Sequence, residues 1–204
     1  MFAEVLGAKL AGICELSEAQ VARLKLHYEL LMRWNKVLSL TSLRTLEEAV
    51  ERHYCEAAFA ASHLPEGPAA IADVGSGAGF PGIPIAIMRQ DCSVALIESN
   101  RRKAVFLKEA SRGLANVRVI AERAEDVAEC FDWVVSRAVR YCDIAGALKK
   151  LGRNAELLTG EVQAAELVGF EWQEPIRLPW GERRYLWIGR SDVSRETPAQ
   201  TCST

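Results

Sequence analysis

No stretch of this chain approaches the run of about 18 apolar residues needed to cross a bilayer, although half of its 204 residues are hydrophobic. The first ten residues, Met1 to Leu10, lack the basic start and long apolar middle of a secretory signal. Both absences lead to the expectation of a cytoplasmic protein with no membrane partner. The cysteines form no Cys-x-x-Cys pair: Cys14, Cys55, Cys92, Cys130, Cys142 and Cys202 are scattered along the chain. The histidines, His27, His53 and His63, form no cluster in the sequence and none stands at zinc-ligand spacing from a cysteine. Scattered thiols of this kind are usually buried side chains, so no metal is expected. An excess of positive charge is missing too. A net charge of −2 removes any bulk attraction to nucleic acid, so a grip on RNA has to come from local patches. Three exist, Arg101-Arg102-Lys103, Lys149-Lys150-Leu151-Gly152-Arg153 and Arg183-Arg184. Each taken alone reads first as solvated surface charge.

What the chain does have is a change of pattern near residue 65. Before it, helical signals dominate. Ser17-Glu18-Ala19-Gln20 is a capping box, in which the Ser hydroxyl and Gln side chain satisfy free N–H groups of a first turn. Val21, Leu24, Tyr28 and Leu31 then recur at helical spacing. A second box, Thr45-Leu46-Glu47-Glu48, predicts a helix carrying Val50, Tyr54, Ala57 and Ala61. Pro65-Glu66-Gly67-Pro68 breaks the pattern. Beyond it, apolar runs at 70–74, 94–98, 117–121, 133–136, 156–159 and 185–188 alternate with helical stretches at 82–89 and 101–112. Such alternation predicts an α/β fold: a parallel, doubly wound sheet with helices on both faces. The organisation expected is therefore a helical extension over 1–65, a core over 66–190 and a polar, frayed tail over 191–204.

The segment Asp73-Val74-Gly75-Ser76-Gly77-Ala78-Gly79-Phe80-Pro81-Gly82 leaves the first predicted strand and enters a helix. Glycines there permit sharp turns and let a ligand approach without meeting a Cβ. In open α/β sheets nucleotides bind in that crevice. Gly77, Gly79 and Gly82 satisfy Gly-x-Gly-x-x-Gly, so a dinucleotide is formally allowed. Asp73 argues otherwise. A carboxylate there would repel a pyrophosphate, but it can organise the loop around an ammonium-bearing methionine moiety, or simply hold loop N–H groups. Glu98 ends the second strand, 21 residues past Gly77, where a carboxylate can accept both hydroxyls of a ribose. Ala124 and Glu125 follow the third strand, where an adenine ring would lie. The plainer reading of Glu125 is an acid at a helix N-terminus.

Ser136 and Arg137 reach the same rim from the fourth strand. The Asp/Asn-Pro-Pro-aromatic motif of amino-methyltransferases is absent, as is the Pro-Cys nucleophile of pyrimidine C5 methylation. Arg137 can hold a carboxylate or a guanine O6 by charge-assisted hydrogen bonds; its plainer reading is a surface salt bridge. No His or Cys adjoins it in the sequence. Guanine N7 offers an in-plane lone pair and needs no such base.

These residues resemble the bacterial glucose-inhibited division protein B family, guanine-N7 methyltransferases of small-subunit ribosomal RNA. The resemblance runs from about Leu31 to Arg190. It rests on Trp34-Asn35-Lys36, Leu40-Thr41, Arg52-His53-Tyr54, the segment Ile71 to Pro84 with its Gly-Ala-Gly-Phe-Pro-Gly, Arg123-Ala124-Glu125, and Ser136-Arg137-Ala138-Val139. It implies a class I S-adenosylmethionine-dependent methyltransferase with a Rossmann-like sheet and an N-terminal helical extension. It implies cofactor contacts at Gly75, Phe80, Ala124, Glu125 and Arg137, to which the loop reading adds Gly77 and Glu98. The implied partner is small-subunit ribosomal RNA or the ribosomal subunit, met by a monomer. Three positions depart from the family pattern. Glu56 stands where an Asp is usual, Gly152-Arg153-Asn154 replaces a Gly-Gly pair, and Thr159-Gly160 replaces Lys-Gly. A small-molecule methyltransferase on the same fold is the alternative, since a fold does not fix a substrate; a nucleotide-binding regulator without catalysis is a third reading.

Overall fold

The structure, a computed structural model, describes residues 1–137, 141–160 and 169–191, without the side chain of Cys142. Ala138 and Val139 of the Ser-Arg-Ala-Val segment, Cys202 and all but the first residue of the expected tail lie outside the described residues.

The helical first third is present and begins earlier than the sequence pattern indicates, with α1 (Phe2–Leu10). Next comes α2 (Glu18–Trp34), opened by the predicted box: Ser17 accepts from the Gln20 N–H and the Gln20 side chain accepts from the Ser17 N–H at 2.8 Å. Thr45 and Glu48 cap α3 (Leu46–Ala49) in the same way. The regular helix expected after that cap is interrupted after one turn. Val50–Cys55 winds as a π-helical segment before α4 (Glu56–His63) resumes normal pitch. The wider turn changes which way His53 and its neighbours point, a device that recurs at functional sites.

The sheet elements follow in the predicted alternation, with one helix, α7, that the sequence reading did not mark: β1 (Ala70–Val74), α5 (Gly82–Met88), β2 (Ser93–Ile97), α6 (Arg101–Ala110), β3 (Val117–Ile120), β4 (Phe131–Arg137), α7 (Tyr141–Leu151) and β5 (Gly152–Thr159). Three antiparallel additions complete it, β6 (Phe170–Trp172), β7 (Ile176–Arg177) and β8 (Tyr185–Ser191). Strand order is β3-β2-β1-β4-β5-β8-β6, with β7 beside β8. The five strands β1 to β5 run parallel, as the doubly wound expectation requires.

Alternate residues of each strand point to opposite faces. In β2, Val94 and Leu96 enter one core, which also takes Phe2 and Leu6 of α1, Leu24 and Leu31 of α2, and Phe106 of α6. Ala95 and Ile97 enter the other, under Ile144 and Leu148 of α7. The residues of the helical extension thus share one continuous core with a face of the sheet. Two groups inside that core are unusual. Cys55 is fully buried, and burial pushes its thiol up to about 12. Glu156, in the middle of β5, is 1% exposed and neither carboxyl oxygen has a hydrogen-bond partner among the described residues. Ala155 and Leu157 face the α7 side, so Glu156 faces the core shared with the N-terminal helices.

Burial raises the Glu156 carboxyl well above its ordinary range. The folded protein therefore holds a proton that the unfolded chain releases above its ordinary pKa, and stability drains away as pH rises from about 4.5. Glu156→Gln has no proton to lose. Its folding equilibrium relative to the parent should improve by about tenfold per pH unit through that window. Denaturant titrations at pH 5 and pH 7 measure the difference; a pH-independent offset would contradict the assignment of a neutral buried acid.

Candidate active site

A crevice of about 430 Å³ opens at the C-terminal ends of β1, β2 and β4. Its floor is the turn after β1. The Gly75 and Ser76 N–H groups both donate to the Ile97 carbonyl, at 2.9 and 3.1 Å, clamping the turn to β2. Ser76 Oγ donates back to the Asp73 carbonyl. Gly77, at φ +55°, donates its N–H to Glu98 Oε2 at 3.0 Å. The other Glu98 oxygen accepts from the Asn100 N–H at 2.8 Å. Glu98 is thus pinned with its carboxylate bordering the crevice, and each oxygen keeps a lone pair for a further donor.

The sequence reading gives the loop glycines sharp turns and ligand approach in common; the structure separates Gly77 from Gly79 and Gly82. A Cβ on Gly77 would meet protein only at Gly75 O, 3.7 Å away, so the space beside it belongs to the crevice. A Cβ on Gly79 would collide with Ile83, and one on Gly82 with Leu96 and, at 2.6 Å, with Asp73 Oδ2. Those two glycines serve the packing of α5 on the sheet. Asp73 itself is fully buried and does not border the crevice. Its Oδ2 accepts from the Gly82 N–H at 2.9 Å, the loop-holding role. Oδ1 has no partner among the described residues, and burial pushes the acid up to about 7.

Gly75, Gly77, Phe80, Glu98, Ala124, Glu125 and Arg137, chosen from sequence, all border this one crevice. Residues 124–126 form a turn with no helix before β4, which removes the reading of Glu125 as a helix N-terminal acid. Arg137 is no surface salt bridge either. Only 11% of its side chain is exposed, and its Nε donates to Glu56 Oε2 at 3.1 Å. Glu56, wholly buried, also receives Arg184 Nε at 3.0 Å and its terminal nitrogen at 2.6 Å. The long Glu side chain at position 56 therefore joins two guanidinium groups.

The sequence places no histidine beside Arg137, but the fold does. Arg137 donates to His53 Nδ1 at 2.8 Å. An arginine cannot accept, so Nδ1 carries no proton, and the protonated Nε2 donates to Thr41 Oγ1 at 2.8 Å. Burial, then the Arg137 charge, pushes His53 down to about 3. The neutral ring stacks on Phe80, centroids 4.4 Å apart and planes 12° apart. His27 and Tyr54 meet the same Phe80 edge to face, at 5.1 and 5.0 Å. His27 donates from Nε2 to the Ala78 carbonyl at 3.1 Å and accepts the Tyr54 hydroxyl at Nδ1. His27 and His53, far apart in the sequence, thus flank one ring of the loop. Lys103, Arg123 and Leu40 also border the crevice. Their only sequence signal was membership of basic or motif segments, which does not say where they point.

The described fold is similar to solved methyltransferases. A magnesium protoporphyrin IX methyltransferase from Synechocystis, solved with bound SAM, aligns at TM-score 0.56 and 13% identity, over 87% of this chain and 99% of that one. A SAM-dependent methyltransferase from Aquifex aeolicus aligns at TM-score 0.54 and 15% identity, over 70% and 92%. These show the class I fold. Sequence relatives are closer. A ribosomal RNA small subunit methyltransferase G of Nitrosospira multiformis is 42% identical over 141 residues, 67% of this chain and 63% of that protein. One of Chromobacterium violaceum is 41% identical over 171 residues, 82% of this chain and 79% of that protein. The profile of the GidB family, rRNA small subunit methyltransferase G, matches residues 20–171. With three quarters of its length inside that profile, the chain belongs to the GidB family.

Proposed function

We propose that this chain transfers a methyl group from S-adenosylmethionine to N7 of a guanine in small-subunit ribosomal RNA, as a cytoplasmic monomer. The observation that carries the reading is convergence: Leu40, His53, the Gly75–Phe80 loop, Arg123 to Glu125 and Arg137, drawn from segments far apart in the sequence, border a single crevice. That crevice also fits the cofactor. Glu98 offers two oxygens toward ribose hydroxyls, Ala124 and Glu125 stand where an adenine edge would be read, and Gly77 leaves the floor open. S-adenosylmethionine supplies an electrophilic methyl group.

The residues of the chain hold and orient. His53 is unsuited to be a general base, because both ring nitrogens are engaged and burial keeps it neutral far below physiological pH. None is needed, since N7 carries its own lone pair. Catalysis then rests on alignment, for which effective molarities of about 10⁵–10⁸ M set the available scale. Arg137 is locked from behind by Glu56 and His53, so its exposed edge has one orientation toward the crevice.

Gly77→Val should weaken cofactor binding by a few kcal/mol, because the new side chain occupies crevice space at a residue whose positive φ already disfavours it. Calorimetry on the folded variant reads this, and unchanged affinity would take the loop out of the site. Arg137→Lys retains charge but not the planar fork that reaches Glu56 and His53 together. Turnover should fall almost as far as in Arg137→Ala; a Lys variant with parental turnover would reduce the role to charge alone. Methylation at N7 leaves the guanine ring positively charged and open to reduction and strand scission. Small-subunit RNA from cells lacking the protein should resist borohydride–aniline cleavage at one guanine, and complementation should restore it. An identical cleavage pattern in both strains would shift the assignment to the small-molecule alternative.

A further inference from the structure

Of the three basic patches in the sequence, two have members engaged by the fold, while Arg153 of one stays exposed away from the crevice. Lys150 donates to the Glu125 carbonyl at 2.6 Å, and Lys149 lies against Gly169. Arg184 is taken by Glu56. The third patch, at the start of α6, is different. Arg101 and Arg102 are exposed and Lys103 is half-buried at the rim of the crevice. Helical spacing continues this exposed face through Val105, Lys108 and the Arg112 of the following turn.

α2 lies alongside and runs the other way. Arg23, early in α2, donates to the Gly113 carbonyl beyond the end of α6 at 3.1 Å. Trp34, at the end of α2, meets Phe106 at 5.8 Å and donates to Glu109 at 3.2 Å. Between the helices runs a groove bordered by Arg23, Arg33 and Arg112, about 16 Å long at 1.5 Å per residue over 11 residues of α2. Its far end is Gly113. Its near end points to the crevice, which Lys103 of α6 and Leu40 of the segment after α2 both border.

The charge on this face is mostly positive, with Glu109 the acid on the groove wall. Arg33, Arg101, Arg102, Lys108 and Arg112 are exposed, and their side chains make no ion pair among the described residues. Glu109, the acid among them, is engaged by Trp34. This cluster sits in a chain of net charge −2, so the remainder is acidic. Apolar side chains are set among the cations. Of the four large hydrophobic residues exposed among the described residues, three, Leu26, Val37 and Val105, lie on these two helices or the turn after α2. A cationic groove with apolar side chains suits a phosphodiester backbone with its riboses and base faces laid against the wall.

We infer that the groove between α2 and α6 is the docking surface for the RNA strand flanking the target guanine, leading it to the crevice past Lys103. This rests on the RNA reading of the active site. It assigns the affinity for RNA to a face separate from the cofactor contacts.

The experiment compares the parent with a fourfold variant, Arg33→Glu, Arg102→Glu, Lys108→Glu and Arg112→Glu, none of which borders the crevice. Binding to small ribosomal subunits is measured as a function of salt, with S-adenosylmethionine affinity and thermal unfolding as checks on the site and the fold. The variant should bind S-adenosylmethionine as the parent does but hold subunits at least tenfold more weakly at low salt. Its plot of log K against log salt should be shallower by about 3, at about 0.7–0.9 for each phosphate no longer neutralised. A control reversing two exposed cations elsewhere, Arg153→Glu with Arg177→Glu, should keep the parental slope. If the fourfold variant misfolds, Arg33→Glu with Arg112→Glu, the two that border the groove, should flatten the slope by half as much. Parental methyl transfer to subunits together with an unchanged slope in the variants overturns the groove and leaves the activity standing. A parent that binds S-adenosylmethionine but neither holds nor methylates subunits overturns the RNA reading, and the groove with it.

Discussion

Glu56 is a carboxylate with no access to water, and the site depends on how its charge is met. Taking an ion out of water costs several kcal/mol unless strong partners surround it. Here Arg137 approaches from the end of β4 and Arg184 from the segment before β8, while Glu56 itself begins α4. Three elements far apart in sequence are thereby tied at one point. The constraint then propagates. Arg137, held by Glu56, fixes the protonation of His53; the neutral His53 can stack on Phe80; and Phe80 lies on the loop that floors the crevice. An Asp at position 56 would have to draw the three elements closer together to make the same contacts.

The π-helical segment is the local means by which this happens. Residues 53–56 are consecutive and all buried, which an ordinary amphipathic surface helix does not allow. His53 looks to the crevice, Tyr54 to His27 and Phe2, and Glu56 to the two arginines. Residues 53–56 are enclosed because the N-terminal helices and the sheet share a core.

Local signals were readable where local physics decides the outcome. Both capping boxes form as their spacing predicts, and the apolar runs of β1, β2 and β4 fall within a few residues of their observed ends. The crevice was readable because a parallel sheet collects the ends of successive strands, so Gly77, Glu98, Ala124 and Arg137 had to meet near one edge. What stayed hidden is long-range or weakly patterned. α1 lacks a capping side chain, and β6 and β7 are three and two residues long, below the reach of any periodicity. The meeting of His53 with Arg137 joins residues 84 apart, and no spacing rule announces it. Within the glycine loop the sequence showed Gly77, Gly79 and Gly82 at the spacing of a ligand-binding turn. It could not tell that two are demanded by Ile83 and Leu96, and one by the open crevice.

Among the described residues the thiols range from exposed Cys130 through half-buried Cys14 to buried Cys55 and Cys92. Cys130 is exposed, whereas Cys55 is sealed on the π-helical segment where the N-terminal helices meet the sheet, with its thiol held far from ionisation. Thiolate is the reactive species, so an alkylating reagent meets Cys130 directly but must wait for the layers to separate before meeting Cys55. The interval between the two reactions is a built-in clock for that separation, and a ligand in the crevice that tightens the Phe80 loop would be felt as a slowing of the second reaction alone.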